Sequence, residues 1–153
     1  MDKHVVIAND HGAVDLKNSI VSHLIGRGYV VDDLGLAENR TADYPDQAVI
    51  ACSTYLKGNY EFGIVCCGTG IGISIAANKI EGIRCALPQN SFAASLAKEH
   101  NNANFLAFGG RIDYADSVES MLDAFIDGAV NTEERHTRRV QKIMAIEKQT
   151  SDC

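Results

Sequence analysis

Three glycines lie within five residues in the stretch Cys67-Gly68-Thr69-Gly70-Ile71-Gly72, which follows an apolar run. Glycines let backbone N–H groups turn toward a bound anion, and the start of the following helix favours negative charge. The spacing GxGxG matches neither the GxGxxG dinucleotide fingerprint nor the nucleoside-triphosphate loop GxxxxGK followed by Ser or Thr. The motif alone fits either an anion-binding loop or a tight strand–helix turn without a ligand.

Cys67 stands directly before this loop. A thiol beside a helix N-terminus can ionise readily, and the thiolate is the reactive form, so Cys67 is a candidate nucleophile or general base. Its neighbour Cys66 should point to the opposite face of a strand. We expect Cys66, Cys52 and Cys85 to be small buried side chains and Cys153 to be a frayed terminal residue. Five cysteines without a CxxC pair predict reduced thiols.

Charged side chains elsewhere could hold a phosphate. His11 follows Asp10 after the first apolar run, and a histidine there can carry a proton or bind phosphate. Arg135 and Arg139 are four residues apart, hence on one helix face, and neither has an acid four residues away. Their spacing fits either a solvated helix face or a phosphate clamp.

Apolar runs alternate with helical patterns through most of the chain. We predict strands at 3–8, 29–34, 62–67, 83–87 and 104–108, and helices at 13–24, 44–56, 71–79, 92–99, 114–127 and 133–148. Continuous apolar strands between helices are typical of a parallel sheet covered on both faces, hence an α/β fold. The last helix carries Val140, Ile143 and Met144 on one side, a stripe that could pack on this domain or on another subunit.

Ligands of open α/β sheets bind outside the carboxyl ends of the strands. This rule gathers Asp10-His11-Gly12, Asp43-Tyr44, the glycine loop and Gly109-Gly110-Arg111 at one edge of the sheet. His100-Asn101 precedes a strand and belongs to the opposite edge. There, a histidine fits a helix C-terminus, and a catalytic role would require a second chain or an unusual loop path.

Composition limits the function classes. The 153 residues fit one domain, 1–153, and 14 basic against 20 acidic side chains give a net charge of −6. This balance argues against a nucleic-acid partner. We find no apolar run of the roughly 20 residues that a membrane span needs, and the first residues read as a strand rather than a signal peptide. We therefore expect a cytoplasmic protein.

The block from Cys67 to Lys79, CGTGIGISIAANK, closely resembles the signature of type B ribose-5-phosphate isomerases and their galactose-6-phosphate isomerase relatives. Asp10-His11-Gly12, Asp43-Tyr44-Pro45, His100-Asn101 and Arg135-His136 with Arg139 match in order and spacing. The resemblance implies a Rossmann-like three-layer sandwich with a five-stranded parallel sheet and an extra C-terminal helix. It also implies a homodimer, possibly a dimer of dimers, that isomerises a small phosphorylated sugar without a metal or other cofactor.

The resemblance also implies roles for individual residues. Cys67 would take the proton from C2 of the open-chain sugar and return it at C1, a task that a loop glutamate performs in relatives without this cysteine. His100 would open the sugar ring, with Asp10 across the site. The remaining residues comprise the anion hole of Gly68, Thr69, Gly70, Ile71 and Gly72, the phosphate ligands His11, Arg135 and Arg139, and the pocket lining of Tyr44, Asn101 and Arg111.

The resemblance leaves several readings open. The first is interconversion of ribose 5-phosphate and ribulose 5-phosphate. The second is the same chemistry on allose 6-phosphate or galactose 6-phosphate, and the third is a non-catalytic phosphosugar-binding module. Because His100 belongs to the edge of the sheet opposite the glycine loop, we expect a second subunit to supply it together with Arg135 and Arg139. Asn9 is the one departure, since relatives often carry glycine or a small residue before the Asp.

Overall fold

The computed structural model describes residues 3–150, so Cys153 lies outside the described part. The five strands are β1 (Lys3–Asn9), β2 (Tyr29–Asp33), β3 (Phe62–Cys67), β4 (Cys85–Ala86) and β5 (Phe105–Gly109). The helices are α1 (Val14–Gly26), α2 (Tyr44–Lys57), α3 (Ile71–Asn78), α4 (Ser91–Glu99), α5 (Val118–Ile126) and α6 (Glu134–Thr150). A 3-10 turn at His11–Ala13 leads into α1.

The five strands form one parallel sheet in the order β2-β1-β3-β5-β4. Successive side chains of a strand point to opposite faces, and each face meets a layer of helices. On β1, Ile7 packs with α1, α4 and α5, whereas Ala8 packs with α2 and α3. The predicted α/β three-layer sandwich with an extra C-terminal helix is confirmed.

Most element boundaries differ from the prediction by one or two residues, and β4 and α5 differ most, where side chains bond the backbone. Strand β4 is only two residues long, and the Asn78 side-chain amide bonds both the N–H and the carbonyl of Cys85 at 2.8 Å. Helix α5 begins at Val118 rather than 114, since Ser117 caps it and the Tyr114 hydroxyl accepts from the Gly109 N–H at 2.9 Å. Tyr114 therefore lies in the loop between β5 and α5 and bonds the last residue of β5.

Helix α6 is joined to its own domain near residues 82–84. Its Glu147 carboxylate accepts from the Gly82 N–H at 3.1 Å, and Arg84 donates to the Met144 sulfur at 3.3 Å. Of the α6 side chains that the structure describes, His136 alone is buried, and Ile143 is exposed. Part of the apolar stripe is therefore open for another partner. Between residues 3 and 150, no helix has the length and apolarity needed to cross a membrane.

Candidate active site

The glycine loop makes a tight turn between β3 and α3. Gly70 has φ +76°, and a Cβ there would lie 2.8 Å from the carbonyl carbon of Phe108. Only glycine fits this conformation and this close approach without strain. The turn brings the Gly70 N–H to 3.1 Å from the Cys67 sulfur, which orients the thiol, and leaves Cys67 buried.

Backbone hydrogen bonds fasten the loop after β5 to the glycine loop. The Gly110 N–H donates to the Cys67 carbonyl and the Arg111 N–H to the Gly68 carbonyl, each at 2.9 Å. The Arg111 guanidinium consequently lies over Gly68, where Nη1 would be 3.3 Å from an added Cβ. This pairing places a positive charge beside the backbone of the glycine loop.

The end of β1 and the start of α2 complete this edge. Asp10 is buried, its N–H donates to the Cys66 carbonyl at 3.0 Å, and its Oδ1 accepts from the Gly12 N–H at 2.7 Å. The Tyr44 ring packs on Gly72, where a Cβ would come within 2.6 Å of Tyr44 Cζ. The glycine-loop edge thus unites the predicted residues Asp10, His11, Tyr44, Cys67, Gly68, Thr69, Gly70, Ile71, Gly72 and Arg111.

The other four predicted residues lie at the opposite edge. His100 is the C-cap of α4, and its N–H donates to the Leu96 carbonyl at 2.8 Å. Strand β5 begins at Phe105 and reaches Cys67 of β3 only at Gly109, roughly 13 Å further along at 3.3 Å per residue. Within one chain, His100 and the Cys67 thiol therefore lie at opposite edges of the sheet. The sequence predicts this separation.

These residues form a second group, the α6 edge, which comprises His100, Asn101, Arg135, His136 and Arg139. The His100 and His136 rings stack with centroids 4.3 Å apart and an interplanar angle of 19°. His136 is buried with no hydrogen-bond partner for Nε2 among the described residues. Burial, followed by the nearby His100 and Arg135, lowers the pKa of His136 below its usual value.

Sequence reasoning assigned no role to His136, although a signal was present. His136 lies four residues before Val140 and therefore shares the inward side of α6. Extending the apolar stripe by one turn would have predicted that this imidazole faces the domain.

The arginines of the α6 edge remain largely in solvent. Arg135 Nε lies 2.9 Å from Glu133 Oε2, an acid two residues away that the four-residue register does not predict. Among residues 3–150, no carboxylate lies within ion-pair distance of Arg139. Arg139 is therefore available to bind an anion. Arg135 could also bind an anion, but it would have to release the exposed carboxylate of Glu133.

The four described cysteines are free thiols in different surroundings. Cys66 points to the α1 face and Cys67 to the α3 face, as predicted. Cys52 and Cys66 are fully buried, whereas Cys85, on the edge strand, is half-buried rather than buried as expected. Burial raises the pKa of Cys52 to about 12 and also raises those of Cys66 and Cys85, so these thiols stay protonated.

The glycine-loop edge is thus suited to moving a proton next to a stabilised oxyanion. It combines a thiol, a buried carboxylate, backbone N–H donors and a guanidinium. No cluster of three or more His, Cys, Asp or Glu side chains that could hold a metal ion occurs in the described part of the chain.

Comparison with known proteins relates this architecture to one family. A family model described as Ribose/Galactose Isomerase matches residues 5–143. Ribose-5-phosphate isomerase B of Escherichia coli is 40% identical over 145 residues, which cover 95% of this chain and 97% of that protein. The galactose-6-phosphate isomerase subunit LacB of Clostridium acetobutylicum is 37% identical over 123 residues, 80% of this chain and 71% of that one.

A solved structure relates the chain to the same family. That of Clostridium thermocellum ribose-5-phosphate isomerase B matches with a TM-score of 0.90 at 43% identity and covers 96% of this chain and 99% of the other. Shared sequence over nearly the full length and a shared backbone lead to the same conclusion: the chain belongs to the ribose/galactose isomerase family.

Proposed function

We propose that the chain interconverts ribose 5-phosphate and ribulose 5-phosphate through an enediolate, with Cys67 as the base. The observation that carries this proposal is the Cys67 thiol at the end of β3, beside a loop of backbone N–H donors. The names of the E. coli and C. thermocellum relatives support the choice of sugar.

The reaction requires one carbon-bound proton to move and one oxyanion to be stabilised. The thiolate removes the proton from C2 of the open-chain aldose, the C–H electrons form a C1=C2 double bond, and O1 becomes the oxyanion. The O2 proton then passes to O1, the oxygen at C2 becomes the ketone carbonyl, and the thiol returns its proton to C1. No oxidant or reductant is required, because the sugar is oxidised at C2 and reduced at C1.

The glycine loop would stabilise the oxyanion. The first turn of α3 leaves N–H groups without intrahelical acceptors. Thr69 Oγ1 accepts from the Ile71 N–H at 3.2 Å, so the Thr69 hydroxyl proton remains available to the substrate. Removing one donor of this kind typically raises a reaction barrier by roughly 3–4 kcal/mol.

A homodimer would join the two edges into a complete site. His100 and Asn101 of one subunit would face Asp10 and Cys67 of the other, so that His100 can open the furanose ring. The exposed Ile71 and Ile75 on α3, with Ile143 and Ile146 on α6, offer apolar surface that pairing would bury. A dimer of dimers would preserve this arrangement.

The phosphate would bind between His11 of one subunit and the two arginines of the other. The Arg135–Glu133 pair is exposed, and such pairs contribute little to stability, so a phosphate dianion can displace the carboxylate. Arg139 adds a second guanidinium, and Arg111, Tyr44 and Asn101 would line the sugar.

Six-carbon phosphosugars are the second candidate substrates. The match to a galactose-6-phosphate isomerase subunit favours them, and the chemistry at C1 and C2 would be the same.

The free thiols suit the reducing cytoplasm, where we place the enzyme.

The test compares wild type, Cys67→Ala and Cys52→Ala on ribose 5-phosphate, allose 6-phosphate and galactose 6-phosphate, with EDTA present. We expect pentose turnover that falls by about 10²–10⁴-fold in Cys67→Ala, the range for losing a general base. Cys52→Ala removes a buried thiol on α2 that is not part of the glycine loop, and it should match wild type.

Each other outcome has a distinct meaning. An active Cys67→Ala variant would overturn the assignment of the base. Turnover of hexose phosphates alone would keep the chemistry and change the substrate. Sugar binding without turnover by wild type would indicate a non-catalytic phosphosugar-binding module.

A further inference from the structure

Asn9 is a buried polar residue that the proposed reaction does not use. It ends β1, directly before Asp10, and its side chain is fully buried. Its Nδ2 donates to the Asp10 carbonyl at 2.7 Å, and its Oδ1 accepts from the Leu36 N–H at 3.1 Å. The side chain therefore ties the end of β1 to the segment that follows β2.

The Asn9 side chain also packs closely against Gly35. A Cβ at Gly35 would lie 1.9 Å from Asn9 Oδ1, so only glycine leaves room for the amide. Asp33 Oδ1 accepts from the Gly35 N–H at 3.0 Å, and Asp33 Oδ2 pairs with the buried Lys17 at 2.7 Å. Asn9 and Asp33 thus fix the start of the 34–43 segment.

The rest of this segment reaches the glycine-loop edge. Glu38 and Asn39 line a cavity of about 410 Å³ together with His11 and Gly110. The segment ends at the start of α2, where the Tyr44 ring lies on Gly72 of the glycine loop. A shift of the segment would therefore move one wall of the site at its His11 end.

We propose that Asn9 is a positioning residue that sets substrate affinity, and the selectivity for sugar-chain length, by fastening the 34–43 segment to the end of β1. This inference rests on the proposed function. A segment that is released spends less time in the binding-competent arrangement, and apparent affinity falls by that fraction. The fixed wall, through Glu38 and Asn39, limits the room beside His11, which an additional sugar carbon would need.

The test measures kcat and KM of Asn9→Ala for ribose 5-phosphate and allose 6-phosphate. We expect KM for the pentose to rise about three- to tenfold, while kcat stays within about twofold of wild type. The ratio of kcat/KM for ribose 5-phosphate to kcat/KM for allose 6-phosphate should fall by about threefold. A purely structural role would reduce the amount of active enzyme and leave KM unchanged. Amide hydrogen exchange over residues 34–43 should be faster in the variant.

Two further variants keep the test decisive. Gly35→Ala adds a methyl group that would clash with the Asn9 side-chain amide and displace it. It should therefore reproduce the rise in KM, even where Asn9→Ala folds poorly. Tyr60→Phe is the control, because it removes a 2.6 Å hydrogen bond to Asp32 of β2 and leaves in place the hydrogen bonds that join Asn9 and Asp33 to the segment. It should leave KM unchanged.

Unchanged KM in both Asn9→Ala and Gly35→Ala, or unchanged exchange of the segment, would overturn the inference. Wild type without turnover would instead contradict the proposed function. The role of Asn9 in holding the 34–43 segment would then be tested by the dissociation constant of ribose 5-phosphate and by the amide hydrogen-exchange rates of the segment. Neither quantity depends on catalysis.

Discussion

The glycine-loop edge and the α6 edge hold their residues by different means. At the glycine-loop edge, Cys67 is 4% and Asp10 is 6% exposed, and backbone hydrogen bonds fix the loops around them. At the α6 edge, the side chains of His100 and Arg135 are 39% and 60% exposed and depend on helix ends and one stacked ring. The first edge is held by the backbone of the chain itself, whereas His100 and Arg135 of the second are open to solvent.

This contrast separates two kinds of mutational effect. Changes at the glycine-loop edge should lower kcat and stability together, because chemistry and folding use the same backbone. Changes to the exposed arginines of the α6 edge, Arg135 and Arg139, should act on KM with little loss of stability, because exposed side chains contribute little to the fold.

The largest effect is expected for Gly70→Ala. The φ of +76° and the 2.8 Å approach to Phe108 strain any side chain there, and we expect a loss of about 1–3 kcal/mol in the free energy of unfolding. Displacing the oxyanion donors should lower kcat by about 10²-fold or more. Denaturant melts and steady-state kinetics measure both.

Gly26→Ala is the matched control. It ends α1 with open space around the added methyl group, so it should be neutral or slightly stabilising. If Gly70→Ala kept wild-type kcat, the idea of a preformed edge would be wrong.

A smaller effect is expected for Arg139→Ala. Losing a charge-assisted contact to phosphate should raise KM by about 10- to 100-fold, with a melting temperature near that of wild type. Arg138→Ala on the same helix is the control, because Arg138 pairs with Glu134 at 2.7 Å and faces solvent. Equal KM changes in both variants would indicate a general charge effect instead of a clamp.

The smallest effect concerns stability against pH. The folded-state pKa of His136 lies below the 6.5 of an unfolded histidine, so the unfolded chain binds the proton more readily. Stability is therefore retained above about pH 6.5 and falls as the pH drops below it. His136→Phe keeps a stacked ring that does not titrate, and it should flatten the decline in melting temperature between pH 7.5 and 5.5.

His4→Gln serves as the control for this experiment, since His4 lies on β1, away from α6. An equal pH slope in wild type and His136→Phe would show that burial of His136 does not contribute to acid sensitivity.

The sequence predicted most of the fold because its patterns are local. Apolar periodicity located every strand and helix, and the carboxyl-edge rule collected the residues around Cys67. The short β4 and the late start of α5 coincide with side-chain hydrogen bonds of Asn78 and Tyr114 to backbone seven and five residues away, and such bonds leave no periodic signal.

The partners of single polar side chains were also beyond the sequence. The bonds from Asn9 to Leu36 and the ring stack of His136 on His100 join residues far apart in the chain. Such contacts follow from packing of finished elements, so residue spacing cannot predict them. Asn9 could be noticed only as a departure from the family pattern.

The most direct test of the shared site is complementation between two inactive variants, Cys67→Ala and His100→Ala. A mixed dimer, isolated with two different tags after co-expression, would hold one intact site and one doubly damaged site. We expect it to recover about half of the wild-type activity, as a symmetric dimer with sites across the interface requires. A mixed dimer that forms but stays inactive, or a fully active monomer, would contradict the account.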